Sequence, residues 1–317
     1  MLGALAKRAA WLTGKTLKIA AVAVLALIAL VVVLLLFLAL RPAAPNNYTE
    51  TLETGGEIEK KYLRTGNAKV KYAEESAPEP LKKFEIYYPA ELPDSGGKYP
   101  LVLFLNGSGI PGSKYKALFR HLASWGFVVA GNEEASTGTG AGADLTLQRL
   151  LELNESPDSV FYGKLDTENI GISGHSQGGA GVLSVVTTGE YRALYKTAVA
   201  LSPTHEEMAR ALGWNYELEK VSVPLLMFAG TEGDFETQTV LPFEKMTAMY
   251  DKIPGAKAMA RRTGAEHGET LYSADGYVTA WLMWQLKGDA EAAKAFSGES
   301  PELLRNALYQ DQRIHIE

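Results

Sequence analysis

Short apolar runs alternate with amphipathic stretches along most of the chain. Strand-like apolar runs occur at 84–89, 101–106, 127–131, 170–173, 198–202, 225–230 and 257–262. Stretches with helical spacing of apolar residues lie between or after them, at 116–125, 143–153, 177–187, 241–250 and 277–286. Parallel strands need crossover connections of this length, so the alternation predicts an α/β protein with a doubly wound, mostly parallel sheet.

The first 40 residues follow a different pattern. An uninterrupted run of 22 apolar residues extends from Ile19 to Leu40, and a helix needs about 20 to cross the hydrocarbon of a bilayer. Four basic residues precede this run and only Arg41 follows it closely. The positive-inside rule therefore predicts a cytoplasmic N terminus at 1–16, an uncleaved transmembrane signal anchor at 17–40 and an extracytoplasmic catalytic domain. A cleaved signal peptide is the alternative, although its apolar core usually has about 7 to 15 residues.

The segment that follows the apolar run has no clear periodicity. Residues 41–76 combine Pro, Asn, Thr and Gly with many charged side chains. This composition favours a stalk or an edge element. The globular domain is expected to occupy 77–317.

Composition and charge narrow the possible functions. Hydrophobic residues make up 46% of the 317 residues, which is enough for a large core. The absence of cysteine excludes disulfides, thiolate zinc sites and a cysteine nucleophile. The formal net charge is −6 although the first 18 residues carry four basic side chains and no acid, so nucleic acid is not expected as a partner.

One motif indicates a nucleophile. Gly174-His175-Ser176-Gln177-Gly178 matches G-x-S-x-G, with an apolar strand before it and small residues leading into a helix after it. Small residues on either side of the serine allow the sharp strand-to-helix turn that exposes its hydroxyl. Ser176 is therefore the predicted nucleophile. The alternative is a glycine-rich turn with a solvated serine.

A serine nucleophile needs an imidazole base and an acid that orients it. His267 lies in a loop after the strand 257–262, as the chain order serine, acid, histidine predicts; the alternative is an exposed loop histidine. For the acid, Glu232 and Asp234 both follow the strand 225–230. Asp234 is favoured because the orienting residue usually lies a few residues beyond the strand and is more often Asp. Glu232 remains open, and Glu266 is a weaker alternative.

The oxyanion of a tetrahedral intermediate needs two N–H donors. Gln177, at the start of the helix after the nucleophile, is expected to supply one. The second is expected from Ser108 or Gly107, in the Asn-Gly-Ser-Gly loop after the strand 101–105. An ordinary glycine turn is the alternative. No metal or organic cofactor is expected.

Taken together, these motifs resemble the α/β-hydrolase superfamily over about residues 84–286. The stretch His-Leu-Ala-Ser-Trp-Gly-Phe-Val-Val at 121–129 is similar to the branch that contains dienelactone hydrolases, chlorophyllases and cutinase-like polyester hydrolases. This resemblance implies Ser108 as the second oxyanion donor and Asp234 as the acid. The chain departs from the branch at Asn106, where many relatives have His, and at Ser108, where polyester hydrolases have an aromatic residue.

The sequence thus predicts a membrane-anchored serine hydrolase that cleaves carboxylic esters through an acyl-Ser176 intermediate. Its expected partners are a small-molecule or lipid ester and, through the N-terminal helix, a membrane; no particular oligomeric state is predicted. Two alternatives are compatible with the same sequence. One is an envelope acyltransferase that uses the same acyl-enzyme, and the other is a non-catalytic binding module with a hydrolase fold.

Overall fold

A mixed sheet of nine strands forms the centre of the protein in a computed structural model, which describes residues 41–316. The strands are β1 (Val70–Ser76), β2 (Lys83–Pro89), β3 (Tyr99–Leu105), β4 (Val128–Asn132), β5 (Leu165–His175), β6 (Tyr195–Leu201), β7 (Leu225–Gly230), β8 (Lys257–Arg262) and β9 (Tyr309–His315). Their order across the sheet is β1-β2-β4-β3-β5-β6-β7-β8-β9. The strands from β4 to β8 pair in parallel, whereas β1, β2 and β9 join the sheet by antiparallel pairings.

The helices lie mainly in the connections between strands, as parallel pairing requires. The α-helices are α1 (Tyr48–Thr51), α2 (Glu57–Leu63), α3 (Lys116–Ser124), α4 (Ala141–Glu155), α5 (Gln177–Thr188), α6 (Glu206–Ala211), α7 (Phe243–Lys252), α8 (Thr270–Ser273), α9 (Asp275–Lys287) and α10 (Ala290–Ala293). Short 3-10 turns lie at Leu92–Asp94, Gly112–Lys114, Arg192–Leu194, Leu218–Lys220 and Leu303–Arg305, and a π-helix spans Phe235–Val240.

Helices cover both faces of the sheet. Along β3, Leu103 packs into one apolar cluster and its neighbour Phe104 into another, because successive side chains of a strand point to opposite faces. The first cluster includes buried residues of α4, α5 and α7, and the second includes those of α3 and α9. The predicted α/β class is confirmed, and the sheet is mixed, with five of its eight strand pairings parallel.

The segment 43–76 packs into the same compact unit as the rest of the described chain. In α1, the hydroxyl of Tyr48 donates to Asp275 at 2.5 Å, and His121 Nδ1 lies 2.6 Å from the same carboxylate oxygen. His121 Nε2 faces the carbonyl of Arg64 at 3.0 Å. Burial alone would lower the pKa of His121, but Asp275 and the carbonyl raise it. The unit therefore begins before the expected boundary at Ala77, and 43–76 is a packed element with β1 at the sheet edge.

The predicted transmembrane anchor at 17–40 lies outside the described residues. Within 41–316, none of the helices has both the length and the apolar character needed to span a bilayer.

Several strands end at the same edge of the sheet. The loops that follow β3, β5, β6, β7 and β8 therefore meet above the carboxyl ends of the strands, which is where open α/β sheets bind ligands. Ser176 and His267 lie in two of these loops.

Candidate functional site

Ser176 occupies a sharp turn between β5 and α5. Its backbone has φ 60° and ψ −121°, a conformation that non-glycine residues rarely adopt. The flanking glycines make room for the turn: a Cβ on Gly174 would lie 2.4 Å from the carbonyl oxygen of Gly178, and one on Gly178 would lie 2.2 Å from that of Leu105. The structure therefore contains the strained strand-to-helix turn that the motif predicts, with the hydroxyl at its tip.

His267 faces this hydroxyl from the loop between β8 and α8. Its Nε2 lies 2.8 Å from Ser176 Oγ, and its Nδ1 lies 2.6 Å from Oε2 of Glu236. A carboxylate accepts hydrogen bonds, so Nδ1 carries the proton and Nε2 can accept one from the serine. The ring is thus held in the tautomer that a general base requires.

The carboxylate beside His267 comes from the π-helix that follows β7. Glu236 is fully buried, and its other oxygen, Oε1, accepts bonds from Ser202 Oγ at 2.7 Å and from the Gly230 N–H at 2.8 Å. Burial by itself would raise the pKa of Glu236. The bonds from His267, Ser202 and Gly230, together with the charge of the imidazole, outweigh burial and lower it.

Asp234, the acid expected from the sequence, does not reach the imidazole. Its side chain is exposed and accepts a bond from Gln238 Nε2 at 2.6 Å, one turn along the chain. The alternatives Glu232 and Glu266 are exposed as well. The prediction of Asp234 beside His267 is therefore wrong in geometry, because the chain bends into the π-helix and turns the carboxylate two residues later inward.

The two expected oxyanion donors come from the start of α5 and from the loop after β3. Gln177 is the first residue of α5, where N–H groups lack partners within the helix. In the loop after β3, the Gly107 N–H donates to the hydroxyl of Tyr115 at 2.8 Å. Within residues 41–316, the Ser108 N–H forms no hydrogen bond, and its side chain is exposed. Of the two alternatives, Ser108 is therefore the one whose N–H has no hydrogen-bond partner within the described residues.

The loop between β4 and α4 connects the two donor segments. Thr137 donates through its hydroxyl to the carbonyl of Asn106 at 2.6 Å, and its N–H donates to Gln177 Oε1 at 3.3 Å. Asn106 Nδ2 donates in turn to the carbonyls of Asn132 at 2.6 Å and Glu134 at 3.2 Å. Asn106 thus fixes the start of the Ser108 loop through its amide.

Aromatic side chains lie near the same site. Phe235 is 56% exposed, and its ring centroid lies 4.9 Å from that of His267 in an edge-on arrangement. Trp214 covers Gly138, where a Cβ would lie 2.3 Å from its indole. Tyr216 is buried and donates its hydroxyl to the carbonyl of Thr204 at 2.8 Å, a packing role.

Glu236, Ser202 and His175 also belong to the site, although the sequence did not predict a role for them. His175 is buried beside the nucleophile, and its Nε2 lies 2.8 Å from the carbonyl oxygen of His267. No spacing in the sequence marks Glu236, since it lies six residues after the last residue of β7 with two other acids between them. In residues 41–316, no group of three or more His, Asp and Glu side chains is arranged to hold a metal ion.

A comparison with protein families finds one model that covers most of the chain. The PET hydrolase-like family matches residues 52–308. The chain belongs to this family, which confirms the resemblance to the polyester-hydrolase branch of the α/β-hydrolases. A search of curated proteins finds no match to the chain. Family membership makes the chain an ester hydrolase of the α/β-hydrolase type.

Proposed function

We propose that this PET hydrolase-like chain cleaves carboxylic esters through an acyl-enzyme, with Ser176 as nucleophile, His267 as base and Glu236 as the orienting acid. The observation that carries the proposal is the continuous chain of hydrogen bonds from Ser176 Oγ through His267 to Glu236, at 2.8 Å and 2.6 Å. Two independent loops and the nucleophile turn must converge to form it.

In the proposed first half-reaction, Ser176 Oγ attacks the ester carbonyl while His267 Nε2 takes the hydroxyl proton. The carbonyl oxygen becomes an oxyanion, for which the N–H groups of Gln177 and Ser108 are the proposed donors. When the tetrahedral intermediate collapses, the bond between the carbonyl carbon and the alcohol oxygen breaks. His267 returns the proton to the departing alcohol, and the acyl group remains on Ser176.

Water completes the cycle. His267 deprotonates a water molecule that attacks the acyl carbon, and the proton then returns to Ser176 as the carboxylic acid leaves. Glu236 stays ionised throughout and stabilises the imidazolium that forms in each half-reaction. Its lowered pKa and its three hydrogen bonds support this assignment.

The test is hydrolysis of p-nitrophenyl esters and labelling with a fluorophosphonate, for the wild type, Ser176→Ala and His267→Ala. We expect both variants to lose at least about a thousandfold in kcat/KM and Ser176→Ala to lose all labelling. Ser173→Ala is the matched control, because this buried serine lies three residues earlier on β5. Labelling of the Ser176→Ala protein would contradict the proposal, and a wild type that neither reacts nor labels would favour a non-catalytic binding module.

For the N-terminal segment, we propose an uncleaved signal anchor over 17–40 with the catalytic unit on the extracytoplasmic side. The 22 apolar residues and the basic residues that precede them support this orientation. In membranes prepared from cells, the full-length protein should resist carbonate extraction, and a protease added from the extracytoplasmic side should digest the catalytic unit. Release of an intact, shortened chain would indicate cleavage instead.

A further inference from the structure

His175 precedes the nucleophile and lies at the end of a central strand. It is the last residue of β5, which lies between β3 and β6, and it pairs with Leu201 of β6. The side chain is 6% exposed, and its ring centroid lies 4.7 Å from that of His267. The position is therefore rigid, and it contacts the proposed base directly.

The loop that carries His267 is fixed by main-chain bonds on both sides of that residue. Before it, the Ala265 carbonyl accepts from the N–H groups of Thr231 and Glu232 at 3.0 Å and 3.1 Å. After it, the N–H groups of Glu269 and Thr270 donate to the carbonyl of Glu266. Within the described part of the chain, the main-chain bond at His267 itself is the one that its carbonyl accepts from His175, at 2.8 Å.

This contact fixes the tautomer of His175. A carbonyl oxygen only accepts, so Nε2 of His175 must carry a proton. Burial and the neighbouring His267 lower the pKa of His175 to about 4, which leaves the ring neutral at pH 7 with its hydrogen on Nε2 and a lone pair on Nδ1. Within residues 41–316, His267 lowers its pKa and Glu236, beyond that ring, raises it. The hydroxyl of Tyr115 is a further ionisable neighbour, since it and Nδ1 of His175 would both lie within 3.5 Å of a Cβ on Gly107.

We propose that His175 is a positioning residue for the reaction. Its Nε2–H bond to the His267 carbonyl sets the distance between the His267 loop and Ser176. The inference rests on the proposed function, since it assigns His175 a role through the base rather than on the substrate. One rigid segment then holds both reacting groups: residue 176 carries the nucleophile, and residue 175 fixes the main chain that carries the base. A small displacement of that main chain would lengthen the bond between His267 and Ser176, and reactions are sensitive to such misplacement.

Three substitutions in the full-length chain separate the hydrogen bond from packing. Glutamine places an amide N–H near the position of Nε2, asparagine places one near Nδ1, and phenylalanine keeps a ring without a donor. We expect His175→Asn and His175→Phe to lose about tenfold or more in kcat on p-nitrophenyl butyrate with little change in KM, and His175→Gln to recover most of the loss. A kcat in His175→Phe equal to that of the wild type would overturn the inference. Equal losses of kcat in all three variants, in proportion to their losses in melting temperature, would also overturn the inference.

A second measurement does not depend on activity or on the folding of a variant. Nitrogen-15 NMR of the histidine rings in the wild type reports the tautomer of each ring. We expect His175 to be neutral with hydrogen on Nε2 at pH 7, and hydrogen on Nδ1 would overturn the inference. If the wild type neither hydrolyses esters nor reacts with a fluorophosphonate, the proposed function fails. The NMR measurement of the His175 tautomer would still test its bond to the His267 carbonyl.

Discussion

Glu236 has a bonding partner for each carboxylate oxygen, and this determines what its removal would do. One oxygen accepts from His267 and the other from Ser202 and Gly230. A buried carboxylate with three such bonds remains charged and fixed in orientation. Asp234 lies two residues away, is exposed and bonds to Gln238, so the two acids differ sharply in what they can do for the imidazole.

We therefore predict a large loss of activity for one of two matched amide substitutions and almost no change for the other. Glu236→Gln should lower kcat on p-nitrophenyl butyrate by about a hundredfold or more, because an amide does not stabilise the imidazolium and can hold the ring in the wrong tautomer. Asp234→Asn should change kcat by less than about twofold. The reverse ranking would return the role of the acid to Asp234.

Two of the three residues in this hydrogen-bonded chain could be predicted from the sequence. Ser176 follows from the glycine pattern that a sharp turn needs, and His267 follows from the order of residues along the chain. Glu236 does not follow from either, because counting residues beyond β7 assumes an ordinary loop. The π-helix at Phe235–Val240 turns Phe235 outward and Glu236 inward. The pattern of hydrophobic residues would predict the opposite, a buried Phe235 and an exposed Glu236.

At the scale of elements, the loop between β4 and α4 supports both proposed oxyanion donors. Its residue Glu134 has fixed main-chain groups: the N–H donates to Asn132 Oδ1 at 2.9 Å, and the carbonyl accepts from Asn106. The side chain is buried against Gly142, where a Cβ would lie 2.0 Å from Oε2. Burial raises the pKa of Glu134 to about 7.

This shift gives Glu134 a predictable effect on stability. In the unfolded chain the carboxyl ionises near its ordinary pKa of 4.5, so between pH 4.5 and about 7 the folded state binds more protons and stability falls as pH rises. Replacement by Gln removes this loss of stability, because the amide does not ionise. We expect the difference in unfolding free energy between Glu134→Gln and the wild type to shift in favour of the variant by about 2 kcal/mol as the pH rises from 5 to 8.

The measurement is denaturant unfolding at a series of pH values. Glu155→Gln is the control, because Glu155 is exposed at the end of α4 and its substitution should leave the pH profile unchanged. Profiles for Glu134→Gln and the wild type that stay parallel from pH 5 to pH 8 would show that the Glu134 carboxyl ionises freely in the folded protein.

Interior elements were more predictable than edge elements. The strands from β2 to β8 have buried, largely apolar sequences with helical stretches between them, so their pattern is clear. At the two edges, β1 and β9 are mostly polar and half-exposed, and α1 has a single turn. Their places depend on tertiary contacts such as Tyr48 with Asp275, which a pattern along the chain does not contain.

At the scale of the whole molecule, the segment 43–76 covers one face of the helical layer. Tyr62 is fully buried, and Glu59 accepts bonds from Tyr309 at 2.7 Å and from Asn306 at 2.8 Å. Burial raises the pKa of Glu59, against the bonds that it receives. The segment thus joins the two ends of the described chain through buried polar groups.

This packing predicts that the folding unit begins near Ala43 rather than at Ala77. A chain of residues 43–317 should unfold cooperatively and react with a fluorophosphonate at the rate of the full-length protein. A chain of residues 77–317 should lose about 5 kcal/mol or more, because it exposes the apolar surface under Tyr48 and Tyr62 and leaves buried polar groups unpaired. Thermal unfolding compares the two, and equal melting temperatures would restore the boundary at Ala77.

The most direct measurement for the central proposal is the capture of the acyl-enzyme. Full-length protein mixed rapidly with p-nitrophenyl butyrate should release a burst of p-nitrophenol. The molar amount released in the burst should equal the amount of active enzyme. Acid quenching and peptide mass spectrometry should then find one butyryl group on the tryptic peptide 165–192, with fragmentation placing it on Ser176 rather than Ser173. Steady hydrolysis without a covalent adduct, or an adduct on another residue, would contradict the account.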